Sequence, residues 1–147
     1  MSKQCLDVQQ MQQLQELGLE LKETMLYWCR INDKNSLHAT NFGEWTLCKG
    51  HNLPTVRTEG WEYIPAYTLQ DVLDALPKYY HIRNIGWTKL SICVHTTKEW
   101  EIGYVYTDEL SKYAYGCRIL SKELIDAAYE LFCWCVEWGF VETNKNE

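Results

Sequence analysis

The stretch 88-TKLSICVHTTKEWEIGYVY-106 alternates apolar and polar residues twice, with a short polar break between the two runs. Alternation of this kind puts one set of side chains on each face of a strand, so the stretch predicts a β-hairpin. Leu90, Ile92 and Val94 share a face of the first strand; Trp100, Ile102, Tyr104 and Tyr106 share a face of the second. The two apolar faces coincide only if the loop holds an odd number of residues, because a one-residue slip turns every side chain over. A loop over 96–98 satisfies this, pairing Val94 with Trp100, Ile92 with Ile102 and Leu90 with Tyr104. The same register sets Cys93 opposite Glu101 and His95 opposite Glu99 on the polar face.

Outward from the hairpin, the punctuation of further elements is legible. Asp7 is suited to cap a helix in which Val8, Met11 and Leu14 recur at helical spacing and Gly18 ends the run. "MLYWCRI" (25–31) and "EWTLCK" (44–49) are rich in β-formers, and "GWEYIP" (60–65) reads as a short edge strand stopped by proline. The polar stretch between the first two predicts a loop. In "TLQDVLDALP", Thr68 and Asp71 form a cap pattern, Leu69, Val72, Leu73 and Leu76 make a stripe, and Pro77 stops the helix. A last helix is predicted from Ser121, as N-cap, to Gly139. The fold class this implies is α+β: an antiparallel sheet of four to five strands with three helices packed mainly on one face.

A chain of 147 residues with no Pro/Gly/Ser-rich linker is expected to be one domain, 1–147. Ten Tyr and seven Trp against three Phe make the aromatic content 14%, and such amphipathic rings suit boundaries and interfaces. The opening "MSKQCLDVQQ" has no apolar run for a signal peptide, and no run of about 18 apolar residues suggests a membrane span. The expected location is the cytosol, where the seven scattered cysteines serve as free, packed thiols. A net charge of −6 argues against general nucleic-acid or anionic-membrane binding.

The run "LFCWCVEWGF" (131–140) looks at first like a metal or redox pair. On a helix Cys133 and Cys135 point about 200° apart, so they can neither grip one ion nor pair with each other. The helical wheel puts Leu124, Ala128, Leu131, Phe132 and Cys135 in the core. It leaves Cys133 and Trp134 toward the acidic stripe of Asp126, Glu130 and Glu137. Trp134 then either lies against the sheet edge or a loop, or forms with Cys133 and Trp138 a candidate docking end on a second chain, since interfaces favour tryptophan.

Dinucleotide-binding, P-loop, zincin and nucleophile-elbow motifs are absent from the sequence. Cys48 with His51 and Cys93 with His95 would form a tetrahedral zinc set if the two halves met, but neither spacing shows that they do; no cofactor is expected. His95 with Glu99 would be a general acid–base pair, or a solvated cross-strand pair. A third grouping stands out. Between Ala75 and Lys98 there is no acidic residue, while Lys78, Tyr79, Tyr80, His81, Arg83, Trp87 and Lys89 occur there, and "KYAYGCR" adds Lys112, Tyr113, Tyr115 and Arg118. Both segments attach to the open end of the hairpin. Cations interleaved with rings suit an anionic, nucleotide-like ligand, by charge for phosphate and by faces for stacking; the alternative is that the rings are core or rim and the cations answer acidic residues elsewhere on the chain.

The segments "IPAYTLQDVLDALP" (64–77), "LIDAAYELFCWCVEWGF" (124–140) and "KQCLDVQQMQQLQELGL" (3–19) resemble a group of small uncharacterised proteins from phages and mobile elements of gut bacteria. The resemblance covers about a third of the chain. It implies a small cytosolic accessory protein acting inside a bacterial host, and it carries over no residue role. The expected function is thus a non-enzymatic accessory protein that contacts a protein partner or a second copy of itself through exposed aromatics. The alternative is a binder of an anionic small ligand at the cation-and-ring surface, and catalysis stands third.

Overall fold

The computed structural model describes residues 3–31, 44–49, 61–82, 86–107 and 113–143. Among them run α1 (Val8–Glu16), β1 (Leu26–Ile31), β2 (Thr46–Lys49), β3 (Trp61–Pro65), α2 (Leu69–Ala75), β4 (Tyr79–Ile82), β5 (Gly86–Thr96), β6 (Glu99–Thr107), β7 (Tyr113–Ser121) and α3 (Leu124–Glu137). The strands form two antiparallel sheets, ordered β2-β1-β3 and β4-β5-β6-β7, and α3 packs on the second. The fold is α+β. β4 and β7 arise from the two cation-and-ring segments, which extend the hairpin into a four-stranded sheet. The loop expected between β1 and β2 lies outside the described residues.

The hairpin register is the one its pattern predicts: Leu90 faces Tyr104, Ile92 faces Ile102 and Val94 faces Trp100. Its turn differs. Thr96 partners Glu99, and pairing shifts between Val94 and Thr96, so His95 is the extra residue of a bulge and Glu99 is not opposite it. A bulge allows a tight turn at Thr97 and Lys98 without moving Leu90 and Ile92 off their face.

Two helices are capped as their sequences predict. In α1, Gln10 N–H donates to the Asp7 carboxylate at 2.8 Å and the Gln10 side chain accepts from Asp7 N–H at 3.0 Å. Thr68 and Asp71 make the same reciprocal box on α2. Each box satisfies amides that the first turn of a helix leaves without partners. At α3 the expectation is corrected. Its N-cap is Glu123, and Ser121 is the last residue of β7, although its Oγ still accepts the Glu123 N–H at 3.3 Å.

One apolar core joins α1, β3, α2, β4, β6 and α3. Leu6, Met11, Leu14, Val72, Ile102, Tyr104, Leu131 and Cys135 are fully enclosed there. Burying a Leu, Ile or Met of this kind contributes about 1.5–3 kcal/mol each. The N-terminal segment is tied in by polar bonds as well: Leu6 N–H to Tyr67 O (2.8 Å), Trp28 Nε1–H to Leu6 O (2.9 Å), and Lys3 Nζ to Asp126 Oδ1 (2.8 Å). The three-stranded sheet turns Trp28 and Ile64 toward this core. Its other face holds a small cluster of Tyr27 and Cys29 with Cys48 and Trp61.

Candidate functional site

The four-stranded sheet has two unlike faces. Tyr80, Leu90, Ile102, Tyr104, Cys117 and Ile119 belong to the face that meets the helices. Residues of the other parity form an outer face, exposed along β4 and β5 at Tyr79, Trp87 and Lys89 and buried along β6 at Glu101, Gly103 and Val105. Register builds it in rows: His81 opposite Trp87; Tyr79, Lys89 and Val105; Ser91, Gly103 and Arg118; Cys93, Glu101 and Leu120. Tyr79 and Trp87 are 69% and 68% exposed there, and the Trp87 ring stands edge-on to His81 at 5.6 Å between centroids. Lys89 is exposed beside them.

The predicted ligand residues are thus partly gathered and partly dispersed. Trp87 and Arg118 share the outer face, and the backbone of Tyr113 and Tyr115 pairs there with Thr107 and Val105. Arg118 is committed: its Nε donates to the buried Glu101 carboxylate, which also accepts the Cys93 thiol at 3.0 Å. Lys78 is committed too, its ammonium closing on the Leu73 carbonyl and lying 3.4 Å from that of Leu76 at the end of α2. That is a natural place for a cation, since helix C-termini carry unpaired carbonyls and partial negative charge.

Tyr80 is corrected to a core residue. Its parity is opposite to that of Tyr79, so its ring enters the core against Tyr104 (4.4 Å) and Phe140 (4.2 Å). Arg83 and Lys112 lie outside the described residues.

The docking end proposed at α3 is also divided. Trp134 is not a free ring: it is partly buried, 5.6–6.3 Å from the rings of Tyr80, Tyr104, Trp138 and Phe140. The cause lies just past the helix. Gly139, at φ +79°, turns the chain so that Phe140 N–H bonds Cys135 O (2.8 Å) and Gly139 N–H bonds Val136 O (3.2 Å). This Schellman closure folds Phe140 back over Trp134. Cys133 is half-buried near Tyr129, and Cys135 lies in the core. Trp138 alone of the three is well exposed, at 66%.

The cysteines are free thiols, buried at Cys5, Cys29 and Cys135, part-buried at Cys48, Cys117 and Cys133, and exposed at Cys93. Burial pushes Cys135 up to about 11, and burial together with the neighbouring Cys48 pushes Cys29 up to about 12. Cys93 is exposed, yet its hydrogen bond to Glu101 raises it above the usual thiol range. Cys48 and Cys93 belong to different sheets, and no group of metal-ligating side chains occurs among the described residues. His51 and the side chain of His95 are not among those residues.

One feature escaped the sequence reading. A cavity of about 610 Å³ in the helical layer is floored by Leu19, Tyr67 and Phe132 and rimmed by Glu20, Glu23, Asp71, Asp74 and Glu142, with Lys22. Its carboxylates come from three separate segments, so no local motif announces it. Asp71 is spent on the α2 cap and on Thr24 (2.6 Å). Such a rim repels anions, so the nucleotide-like ligand expected from sequence has no counterpart in this concavity.

Comparison of the chain with family models, with curated proteins and with solved structures gives no match.

Proposed function

We propose that this chain is a non-enzymatic accessory protein that docks a protein partner on the outer face of its four-stranded sheet. The observation that carries the proposal is the exposure of Tyr79 and Trp87 side by side on β4 and β5. Rings held rigidly by strands lose little conformational freedom on binding, and interface centres are enriched in them. Lys89 and His81 beside the rings suit a partner surface that carries carboxylates. The shape of this face favours a macromolecule over a small anion. Small-ligand sites are concave, whereas Tyr79 and Trp87 stand out from the β4–β5 part of this face, and its Arg118 is already held by Glu101. The setting is that of the resemblance, an accessory protein of a phage or mobile element.

The test is site-specific photo-crosslinking in cells that carry the gene, with a benzophenone side chain at position 87 or, as a control, at exposed Gln70 on α2. A discrete protein adduct from position 87 alone is expected, and Trp87→Ala should weaken binding of that partner at least about tenfold. Adducts from both positions or from neither overturn the proposal. Saturable nucleotide binding abolished by Trp87→Ala would instead support the anionic-ligand reading.

A further inference from the structure

We infer that Cys29 and Cys48 form a two-coordinate site for a soft monovalent ion, Cu(I), on the face of the three-stranded sheet turned away from the core. The placement follows from register. Tyr27 is opposite Cys48 and Cys29 is opposite Thr46, so the two cysteines share one face of β1 and β2 and are diagonal neighbours across the pair. Cys48 packs against Tyr27 and Cys29 in the small cluster there, with Trp61 of β3. The two sulfurs are close enough for each thiol to act on the other.

The pair is better matched to an ion than to a disulfide. Diagonal neighbours typically have Cα atoms about 7–8 Å apart, whereas a disulfide usually spans about 4.4–6.8 Å. An ion seated between the sulfurs lengthens the bridge and makes up that shortfall. The choice of ion follows from the number and kind of ligands. No group of three or more His, Cys, Asp or Glu side chains that could hold a metal occurs among the described residues, so tetrahedral zinc and octahedral cations are not served. Two thiolates in line do satisfy Cu(I), whose filled d shell imposes no higher coordination and whose softness favours sulfur.

Cys29 is fully enclosed and Cys48 half-buried, so an ion enters from the Cys48 side. Each thiol proton is turned back to a carbonyl of its own strand, Cys29 to Tyr27 O at 4.0 Å and Cys48 to Thr46 O at 3.7 Å. Such weak S–H contacts cost little to lose. On binding, each S–H bond breaks, its proton goes to solvent, and the electron pair left on sulfur forms the bond to copper. No electron changes hands, and the metal stays Cu(I). Two bare thiolates would put two negative charges into this apolar cluster, whereas the copper bis-thiolate carries one. The ion thus offsets part of the charge whose burial keeps Cys29 protonated. Cys93, the exposed thiol of the other sheet, is bonded to Glu101 and has no cysteine opposite it. The inference stands on the three-stranded sheet and does not depend on the docking proposal.

Anaerobic titration of the reduced full chain with Cu(I), supplied as its acetonitrile complex against a chromophoric Cu(I) chelator, tests it. One tightly held Cu(I) per chain is expected, with X-ray absorption showing two sulfurs and no further ligand at the copper. Cys48→Ser and Cys48→Ala, at a half-buried position, should keep the wild-type circular dichroism. Each should weaken binding by more than the roughly 10–100-fold that loss of an outer-shell partner costs. Cys93→Ser should bind as the wild type does. A wild-type chain that fails to compete with the chelator, three or four sulfurs at the copper, binding undiminished by the Cys48 changes, or binding lost in Cys93→Ser would each overturn the inference.

Discussion

Gly103 sits where β7 presses closest on β6. A Cβ there would stand 2.1 Å from the Cys117 carbonyl oxygen, in backbone that has no flexible end to give way. Gly103→Ala is therefore expected to destabilise by about 3 kcal/mol or to shift the β7 register, and urea unfolding measures the first. Tyr80 makes the opposite prediction. Its hydroxyl is buried with no hydrogen-bond partner among the described residues, and such an orphan costs about 1–3 kcal/mol. Tyr80→Phe should leave stability unchanged or raise it by about 1 kcal/mol, read as an upward shift in Tm. A third prediction concerns Asp126. Burial raises its carboxyl, but hydrogen bonds from Lys3 and Gln10 outweigh this and hold it below the ordinary aspartate value of 3.8. The folded pKa is thus the lower one. Its contribution is fully present above the unfolded pKa and is lost as pH falls through the folded value. In Asp126→Asn the stability difference from wild type, about 1 kcal/mol at pH 7 for a partly exposed pair, should vanish toward pH 2.

The end of α3 is the element on which most of the apolar layer turns. Its sequence marks Gly139 as the stop but does not reveal that Phe140 returns to cover Trp134. The closure requires φ +79° at Gly139, with no atom near the place a Cβ would take, so the cost of a side chain there is conformational. Gly139→Ala should cost about 1 kcal/mol. Trp134→Ala should cost about 2–4 kcal/mol, since its ring is held among four others. If Trp134 were an interface ring, the same change would leave chemical denaturation unaffected and alter only association. The wheel sets Trp134 toward the acidic stripe because it ranks residues by the helix alone. The neighbours Tyr80 and Phe140, which lie beyond the helix, decide what is covered.

At the scale of the whole molecule, charge and shape are unevenly divided. The helical layer carries an acidic cleft, and the outer sheet face carries exposed rings with Lys89 and His81. A partner bearing carboxylates is expected to meet the sheet face, and its association should weaken as salt rises. Trp87→Ala and Tyr79→Ala remove exposed rings, so each should leave Tm within about 2 °C while reducing partner capture. The contrast with Trp134→Ala separates the docking face from the core.

The hairpin register, the Asp7 cap, the Thr68–Asp71 box, the two glycine stops and the α+β class were readable from sequence, because each rests on residues a few positions apart and on local geometry. The outer face was legible in part. Trp87 and Arg118 were singled out for their type, and strand parity does bring them to one face. Parity also removed Tyr80, because only the pairing of "YYHI" with β5 fixes which of its residues face the core. The pairing of Arg118 with Glu101, the bulge at His95, the covering of Trp134 and the acidic cleft were decided only by tertiary structure. Each joins residues from separate elements, and chain folding, not spacing along the sequence, sets which of them meet.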